Sequence, residues 1–263
     1  RLSTKPGSLG ERMSGHNRWS KLKHKKGAED ARRGKAFTKI SKELTVSARM
    51  GGGDPTGNPR LRLAIEKARA AMMPSDTVTR AIKKGTGELE GSEVHELLYE
   101  GYGPGGVAFI VEVLSDNTNR SSSEVRNALE KSGGSLAKSG AVAFNFQKRG
   151  MIRYDLARFP EDRVMEAALE AGGEDVVVEA EHVVVYTTPN AFLTVKEALD
   201  KAGLESVVAE TTMIPSSLVA ISDVDTAKKV LRLYEKLEDH DDVQNVYSNF
   251  DIPEDVMSQA QEG

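Results

Sequence analysis

Residues 175–188, DVVVEAEHVVVYTT, contain two runs of β-branched residues and are the clearest structural signal in the chain. Runs of this kind are typical of strands. Helical patterns lie on either side, at residues 160–171 and 190–202, and two further strand patterns lie outside them, MIRYDL (151–156) and SVVAETTMI (206–214). The order strand, helix, strand, strand, helix, strand predicts a ferredoxin-like unit that is complete by itself.

The sequence before this unit predicts an incomplete α/β layer at residues 95–149. LLYEGYGPGGVAFIVEVL (97–114) is rich in β-branched and aromatic residues around a Gly/Pro turn, which predicts a β-hairpin. A helix follows, in which Ser121 and Glu124 have the spacing of a capping box. GAVAFNFQK (140–148) then predicts a strand.

The sequence after the unit, residues 217–250, predicts a strand, a helix and a strand, and it is also incomplete. Because the two flanking segments together supply one α/β domain, we predict that residues 150–214 are inserted in it. A chain of 263 residues is long for one hydrophobic core, which agrees with several domains.

Residues 36–85 have a helical pattern that predicts a small N-terminal domain of three helices. The loop GGGDPTGNP (51–59) separates the first helix from the second, with Asn58 as the N-cap and Pro59 in the first turn. The third helix begins after Pro74. The apolar faces of the first two helices are Phe37, Ile40, Leu44 and Ala48, and Leu61, Ile65, Ala68 and Met72.

The predicted fold class is α+β and multidomain, with an N-terminal helical domain and two α/β domains, one of which is ferredoxin-like (βαββαβ) and inserted in the other. The first twelve residues lack the apolar stretch of a signal peptide, and no run of about 18 apolar residues predicts a membrane span. The predicted limits are 1–12 for an extension, 13–34 for a basic arm, 35–92 for the helical domain, 93–149 and 215–252 for the discontinuous α/β domain, 150–214 for the insertion and 253–263 for a C-terminal tail.

The basic arm and the first helix contain GHNRWSKLKHKKGAEDARRGKAFTK (15–39), in which nine residues are Lys or Arg. Residues 1–90 carry 21 Lys and Arg against 9 Asp and Glu, whereas residues 91–263 carry 15 against 31. The net charge of −4 therefore hides a basic first half, which favours a partner of dense negative charge.

Nucleic acid is the partner that this pattern favours over a solubilising tail, because the helical domain behind the arm is also basic. Lys and Arg neutralise phosphates, while His, Asn and Trp offer hydrogen bonding and stacking to unpaired bases, although Trp19 is equally suited to pack on a neighbouring domain. The predicted nucleic-acid-binding residues are His16, Asn17, Arg18, Trp19, Lys21, Lys23, His24, Lys25, Lys26, Arg32, Arg33, Lys35, Lys39, Arg60 and Arg62. Lys67, Arg69, Arg80, Lys83 and Lys84 add to the basic character of the helices.

Two glycine-rich segments resemble phosphate loops but lack the required context. GYGPGG (101–106) matches the dinucleotide fingerprint, yet a strand pattern follows where the fingerprint needs a helix, so we interpret it as a hairpin turn. GGGDPTGNP is not followed by GK[ST], which favours an interhelical loop. SDNTNR (115–120) suits a cap and a turn, and we favour a structural role there over phosphate binding by Arg120.

No catalytic or metal-binding pattern stands out in the sequence. The chain has no cysteine, which removes thiolate nucleophiles, disulfides and cysteine-based metal sites. The acidic segment KLEDHDD (236–242) is interpreted as a solvated turn rather than a metal site. The histidines, which show no metal-ligand spacing, are His16, His24, His95, His182 and His240. We therefore predict no cofactor, no metal, no small-molecule substrate and no enzymatic activity.

The segment MSGHNRWSKLKHKKGAEDARRGKAFTKISKELTVSARMGGGDPTGNPRLRLAIEKARAAMMP (13–74) resembles the N-terminal signature of the YebC family. RAIKKGTGE, YEGYGPGGVAFIVEVLSDNTNR and GGSLAKSGAVAFNF extend the resemblance, which runs from about Met13 to about Ile252. AMMPSDTVTR (71–80) departs from it, because family members often have Asn and Lys before the third helix. The resemblance implies three domains, with HNRWSKLKHKK (16–26) and the helical domain contacting nucleic acid.

The resemblance also implies two functions that compete. The family is commonly described as probable transcriptional regulators, which implies a DNA-binding protein. It also includes the mitochondrial translational activator of cytochrome c oxidase subunit I, and members are placed on the ribosome, where they ease stalls at proline-rich stretches. We therefore predict a non-enzymatic regulator of gene expression that binds DNA, with a ribosome-associated translation factor that binds ribosomal RNA as the alternative. The predicted location is the cytoplasm or, in a eukaryote, the mitochondrial matrix.

Overall fold

The computed structural model describes residues 29–179 and 181–261, and the side chains of residues 33–179 and 181–260. Within these residues the chain forms eight α-helices and ten β-strands. In chain order they are α1 (Glu29–Gly51), α2 (Pro59–Ala70), α3 (Ser75–Thr86), β1 (His95–Tyr102), β2 (Ala108–Ser115), α4 (Thr118–Lys131), β3 (Ser135–Leu136), β4 (Phe146–Asp155), α5 (Glu161–Ala171), β5 (Asp175–Glu179), β6 (His182–Thr187), α6 (Phe192–Lys201), β7 (Val208–Pro215), β8 (Val219–Ala220), α7 (Val224–Glu238), β9 (Val243–Ser248), β10 (Phe250–Asp251) and α8 (Glu254–Gln261).

The helical domain is organised around α1, on which α2 and α3 both pack. The Asn58 side chain caps α2 by accepting a hydrogen bond from Leu61 N at 3.1 Å, as predicted. The predicted apolar faces are confirmed except at Met72, which is exposed because α2 ends at Ala70 and Met73 takes the buried position. The core consists of Leu44, Ala48, Leu61, Ala64, Ala68, Met73 and Ala81, with Phe37, Ile40, Ile65, Val78 and Ile82 partly buried against it.

The first helix begins earlier than the sequence pattern predicts. α1 starts at Glu29, so that the predicted arm (13–34) overlaps its first turns. A single glycine, Gly34, costs a helix only about 1 kcal/mol, and it does not interrupt α1.

The discontinuous α/β domain has a four-stranded antiparallel sheet in the order β3-β1-β2-β9. Residues 104–106 form a short 3-10 turn between β1 and β2, so the hairpin interpretation of GYGPGG is confirmed. β8 and β10 form a separate parallel pair. The hydrophobic core joins the sheet to α4, α7 and α8, and its large members include Phe109, Val111, Val113, Val125, Leu129, Val230, Leu233, Leu237, Val246, Phe250 and Met257.

The strand predicted at residues 140–148 is wrong for residues 140–145, and only its last three residues lie in a strand. Residues 143–145 form a 3-10 turn, and Phe146 begins β4 of the inserted unit. The physical reason is Glu100, whose carboxylate accepts hydrogen bonds from the backbone N–H groups of Gly140, Val142 and Ala143 at 2.6, 2.7 and 2.9 Å. These donors are therefore occupied by a side chain instead of a neighbouring strand.

Two smaller predictions for this domain are also wrong. Asn117, rather than Ser121, caps α4, since its side chain accepts a hydrogen bond from Arg120 N at 3.0 Å. The predicted C-terminal tail is the helix α8, which buries Val256 and Met257 against the domain core. Burial of these two side chains supplies the stabilisation that a short helix needs.

The inserted unit is ferredoxin-like. Its elements follow the order β4, α5, β5, β6, α6, β7, and its antiparallel sheet has the strand order β5-β6-β4-β7. This places β6 between the two parallel strands of a split βαβ unit. The buried side chains of the unit include Ile152, Tyr154, Val164, Ala168, Val183, Val185, Phe192, Val195 and Leu199.

The described residues divide into two compact units, with residues 144–218 in one and residues 29–143 and 219–261 in the other. The predicted fold class, an N-terminal helical domain and two α/β domains of which one is inserted in the other, is confirmed. The exact domain limits stay predictions. None of the described helices is long and apolar enough to cross a membrane.

Candidate nucleic-acid interface

Much of the predicted binding set lies outside the described residues. Arg32 lies on α1, but its side chain is not among those described. The arm residues outside the described part of the chain are His16, Asn17, Arg18, Trp19, Lys21, Lys23, His24, Lys25 and Lys26. The remaining predicted residues are Arg33, Lys35, Lys39, Arg60 and Arg62, and the structure separates them by what their side chains contact.

Two predicted lysines of α1 bind the C-terminal end of α7. Lys35 donates to the Asp239 carbonyl at 3.2 Å, and Lys39 donates to the Glu238 carbonyl at 2.6 Å. The last carbonyls of a helix lack partners within the helix and carry the negative end of its dipole, so ammonium groups stabilise them. In this structure both lysines therefore connect the helical domain to the α/β domain.

A third lysine of α1, Lys42, completes this contact. Its ammonium donates to the Asp241 carbonyl at 3.2 Å and forms an ion pair with the Asp242 carboxylate. The three lysines are spaced four and three residues apart, which places them on one face of α1. We call Lys35, Lys39 and Lys42 the anchoring lysines.

Asp242 is the centre of this contact. Its side chain is only 3% exposed, and besides Lys42 it accepts from Arg120 Nη2 and Ser115 Oγ, both at 2.9 Å. Burial alone would raise the pKa of Asp242, but the bonds from Lys42, Arg120 and Ser115 outweigh it and lower the pKa to about 2. The solvated turn predicted at KLEDHDD is therefore wrong at this residue, whose carboxylate is buried and charged.

The structural interpretation of SDNTNR agrees with this geometry. Arg120 contacts Asp116 at 3.1 Å as well as Asp242, so its guanidinium is directed at carboxylates. His240 lies next to them, with Nε2 at 2.6 Å from Glu124 and Nδ1 accepting from Asp242 N at 3.0 Å. Among the described residues no group of three His, Asp or Glu side chains is arranged to hold a metal ion.

Arg60 and Arg62 also have partners inside the protein. Arg60 binds both carboxylate oxygens of Glu43, at 2.7 and 3.0 Å, and Glu96 at 2.6 Å. Burial would lower the pKa of Arg60, but the two carboxylates raise it on balance. Arg62 donates to the carbonyls of Pro55 and Thr56 at 3.3 and 3.4 Å, which fixes the loop before α2. Arg60 thus links α1 and α2 to β1.

Five other cations differ from these, since their side chains are exposed and make no ion pair or hydrogen bond with any residue the structure describes. Two lie on the last turns of α2 and three on α3, and the predicted residue Arg33 of α1 shares the property. We call the five the exposed basic set: Lys67, Arg69, Arg80, Lys83 and Lys84. Their charge is evident in the sequence, but these five residues are not in the predicted binding set.

The sequence of α3 accounts for the exposure of its three cations. Ala81 is buried, and Val78 and Ile82 are partly buried against α1, so the apolar stripe is narrow. Arg80, Lys83 and Lys84 fall outside that stripe and are directed away from the core. Lys83 and Lys84 lie in the last turn of α3, where cations also interact favourably with the helix dipole.

Comparison with protein families agrees with this architecture. Residues 17–88 match the model of the TACO1/YebC protein N-terminal domain, and residues 94–250 match the model of the TACO1/YebC second and third domain. The two matches together cover most of the chain.

Individual relatives are similar over nearly their full length. A probable transcriptional regulatory protein of Treponema denticola is 56% identical over 92% of this chain and 98% of that protein. A probable transcriptional regulatory protein of Halothermothrix orenii is 52% identical over 95% of this chain and 100% of that protein.

A solved structure supports the same assignment. The crystal structure of a conserved hypothetical protein from Aquifex aeolicus matches with a TM-score of 0.81 and 47% identity, over 90% of this chain and 98% of that one. With the helical domain, the interrupted α/β domain and the inserted ferredoxin-like unit all present, the chain belongs to the TACO1/YebC family.

Proposed function

We propose that the protein is a non-enzymatic regulator of gene expression that binds nucleic acid through its helical domain and the basic arm before it. We further propose that this nucleic acid is structured ribosomal RNA. The relatives support a regulatory role through their name, probable transcriptional regulatory protein. The proposal places the protein in the cytoplasm, where ribosomes are found.

The observation that carries the proposal is the exposed basic set. Its five cations have no partner among the described residues, whereas α2 and α3 contain only two carboxylates, Glu66 and Asp76. Clustered cations without internal partners bind phosphates and release counterions, which gives affinity without reading sequence. The anchoring lysines, by contrast, already bind carbonyl and carboxylate oxygens of the protein.

The layout of α3 favours RNA over base-specific recognition of DNA. A recognition helix reads base edges with its N-terminal residues. The first turn of α3 carries the carboxylate of Asp76, while Lys83 and Lys84 lie in its last turn and Arg80 in its middle. Neither α2 nor α3 contains Asn or Gln, the side chains that pair with adenine. The helix is therefore better suited to binding the phosphate backbone of a structured RNA than to reading DNA base edges.

DNA-directed transcriptional regulation is the second candidate, and the name of the relatives favours it. It needs an element that enters a groove. The four-residue turn between α2 and α3 has the length found in helix-turn-helix motifs, which keeps this candidate testable.

Co-sedimentation of the full chain with ribosomes, at low and moderate salt, tests the proposal. The variant Arg80→Ala/Lys83→Ala/Lys84→Ala should leave the ribosomal fraction. The matched control removes three exposed lysines of the α/β domain, Lys131→Ala/Lys138→Ala/Lys236→Ala, and should stay bound. The variants differ in which surface loses charge, but not in the amount of charge lost.

Three results would contradict the proposal. Absence of the wild-type chain from ribosomes, with enrichment at discrete DNA sites, would establish the second candidate instead. Equal loss of binding in both variants would reduce the interaction to non-specific attraction. Robust nucleotide hydrolysis by the pure protein would overturn the non-enzymatic assignment.

A further inference from the structure

Four helices of the described chain end in the same backbone motif. In each, the residue after the C-cap donates to a carbonyl three residues back, and the next residue donates to a carbonyl five residues back. In α2 these bonds are Met72 N to Arg69 O and Met73 N to Ala68 O, both at 2.9 Å. The corresponding bonds end α4, α5 and α6, at distances of 2.7 to 3.2 Å.

The residue in the left-handed conformation distinguishes α2 from the other three helices. α4, α5 and α6 place Gly133, Gly172 and Gly203 there, with φ of 84°, 87° and 77°. α2 places Met72 there, with φ of 55°. Met72 is the only residue with a side chain among the positive-φ positions of the described residues, and the other eight are all glycine. A side chain is strained in this conformation, whereas glycine is not.

The Met72 side chain makes no buried packing contact that would offset this strain. Met72 is 74% exposed, so burial does not compensate. The hydrophobic contact that accompanies the motif is supplied by Met73, which is only 8% exposed and belongs to the core of the helical domain. Strain combined with exposure at one residue indicates a role outside the folding of the domain.

The surroundings of Met72 indicate the kind of partner. Lys67 and Arg69 lie on the last turn of α2, immediately before Met72, and belong to the exposed basic set. The tip of the α2–α3 connection thus offers an apolar, polarisable side chain next to two cations. Methionine adapts to irregular apolar surfaces and is among the side chains that insert between base steps.

We propose that Met72 is a contact residue of the helical domain for structured RNA, with its thioether against an unstacked base or sugar and with Lys67 and Arg69 on the adjacent phosphates. This inference rests on the proposed function and names a residue within its surface. Unstacked bases are the parts of RNA that offer an apolar face, and phosphates flank each of them. A protein partner would instead have to supply carboxylates to both cations.

The test uses three variants of the full chain. Met72→Gly and Met72→Asn remove the apolar side chain and relieve the strain, because both residues tolerate the left-handed conformation. Met72→Leu keeps an apolar side chain and the strain. Leu169→Ala, which trims an apolar side chain 68% exposed on α5, is the matched control for loss of apolar surface.

Opposite changes in stability and binding are expected. Met72→Gly and Met72→Asn should raise the melting temperature by a few degrees and weaken binding to purified bacterial ribosomes about fivefold, as loss of part of a buried Met contact predicts. Met72→Leu and Leu169→Ala should bind as the wild type does. A folding defect cannot produce this pattern, since the weaker binders are the more stable proteins.

The other outcomes separate this inference from the proposed function. If Arg80→Ala/Lys83→Ala/Lys84→Ala abolishes ribosome binding while Met72→Gly binds normally, the inference is overturned and the proposed function stands. If Met72→Gly weakens binding to ribosomes but not to protein-free ribosomal RNA, the contact is with protein and the inference is also overturned. If the wild-type chain binds no ribosomes, both fail together.

Discussion

The helical domain carries two groups of cations that look alike in sequence and differ in structure. The anchoring lysines of α1 reach the C-terminal end of α7, and Lys42 forms an ion pair with a carboxylate that is 3% exposed. The exposed basic set on α2 and α3 has no partner among the described residues. One group connects two domains, and we propose that the other binds an external polyanion.

The difference shows that density of positive charge does not by itself identify a binding surface. What separates the two groups is the position of the nearest carboxylates and unpaired carbonyls. A cation that already binds a helix C-terminus must lose that contact before it can bind phosphate, whereas an exposed cation loses only water. The comparison therefore predicts that changes in the first group affect stability and changes in the second affect binding.

The largest expected effect follows from Asp242→Ala. Removing this carboxylate leaves Lys42, whose side chain is 17% exposed, without its ion-pair partner, and breaking a buried pair in this way costs roughly 3 kcal/mol. Urea denaturation should show a loss of this size in the free energy of unfolding. The exposed neighbour Asp241→Ala is the control and should change it by less than about 0.5 kcal/mol. Equal effects at the two positions would refute the anchoring role.

Acid should weaken the same contact. The pKa of Asp242 is lowered from its ordinary value of 3.8 to about 2 in the folded protein. Because the folded-state pKa lies below the unfolded one, the carboxylate stabilises the fold above about pH 4, and this contribution of roughly 2 kcal/mol is lost as the pH falls toward 2. The free energy of unfolding of the wild type should therefore fall more steeply in this window than that of Asp242→Asn. Parallel curves would contradict the assignment.

The architecture could be predicted from the sequence where local patterns are strong. The β-branched runs at 175–188 and the flanking helices predicted the ferredoxin-like order. The spacing of the apolar residues and the length of each segment are enough to tell helix from strand there. The strand prediction failed at residues 140–145 because Glu100, about 40 residues earlier, accepts hydrogen bonds from the backbone N–H groups there. No local pattern carries that information.

The candidate site was predicted less well for the same reason. Lys39 and Lys83 are equivalent as sequence features, but the carbonyl that Lys39 binds lies 199 residues later in the chain. In the sequence Asp242 has the pattern of a solvated acidic turn. Its partners Lys42 and Arg120 are distant in sequence, and only the fold brings them to it. The arm, where the predicted set is densest, lies outside the described residues and its role stays a prediction.

Arg60 should behave as an anchoring cation although it was predicted to bind nucleic acid. Its guanidinium binds Glu43 with two hydrogen bonds and Glu96 with one, in a partly exposed setting where such pairs contribute about 1 kcal/mol. Arg60→Ala should lower the free energy of unfolding by about that amount and leave ribosome binding unchanged. Lys67→Ala on the same helix is the control, with the reverse expectation. If Arg60→Ala lost ribosome binding while its free energy of unfolding stayed unchanged, Arg60 would belong to the nucleic-acid interface after all.

The smallest effect on stability is expected for Lys83→Ala/Lys84→Ala, and it makes the sharpest contrast with Asp242. Neither lysine has a partner among the described residues, so the free energy of unfolding should change by less than about 0.5 kcal/mol. Binding should nevertheless lose salt dependence, because each phosphate contact contributes roughly 0.7 to 0.9 to the slope of log K against log salt concentration. A titration of ribosome binding between low and moderate salt measures this slope. An unchanged slope with a large loss of stability would mean that these lysines, too, hold the fold together, and that the surface proposed here does not bind a polyanion.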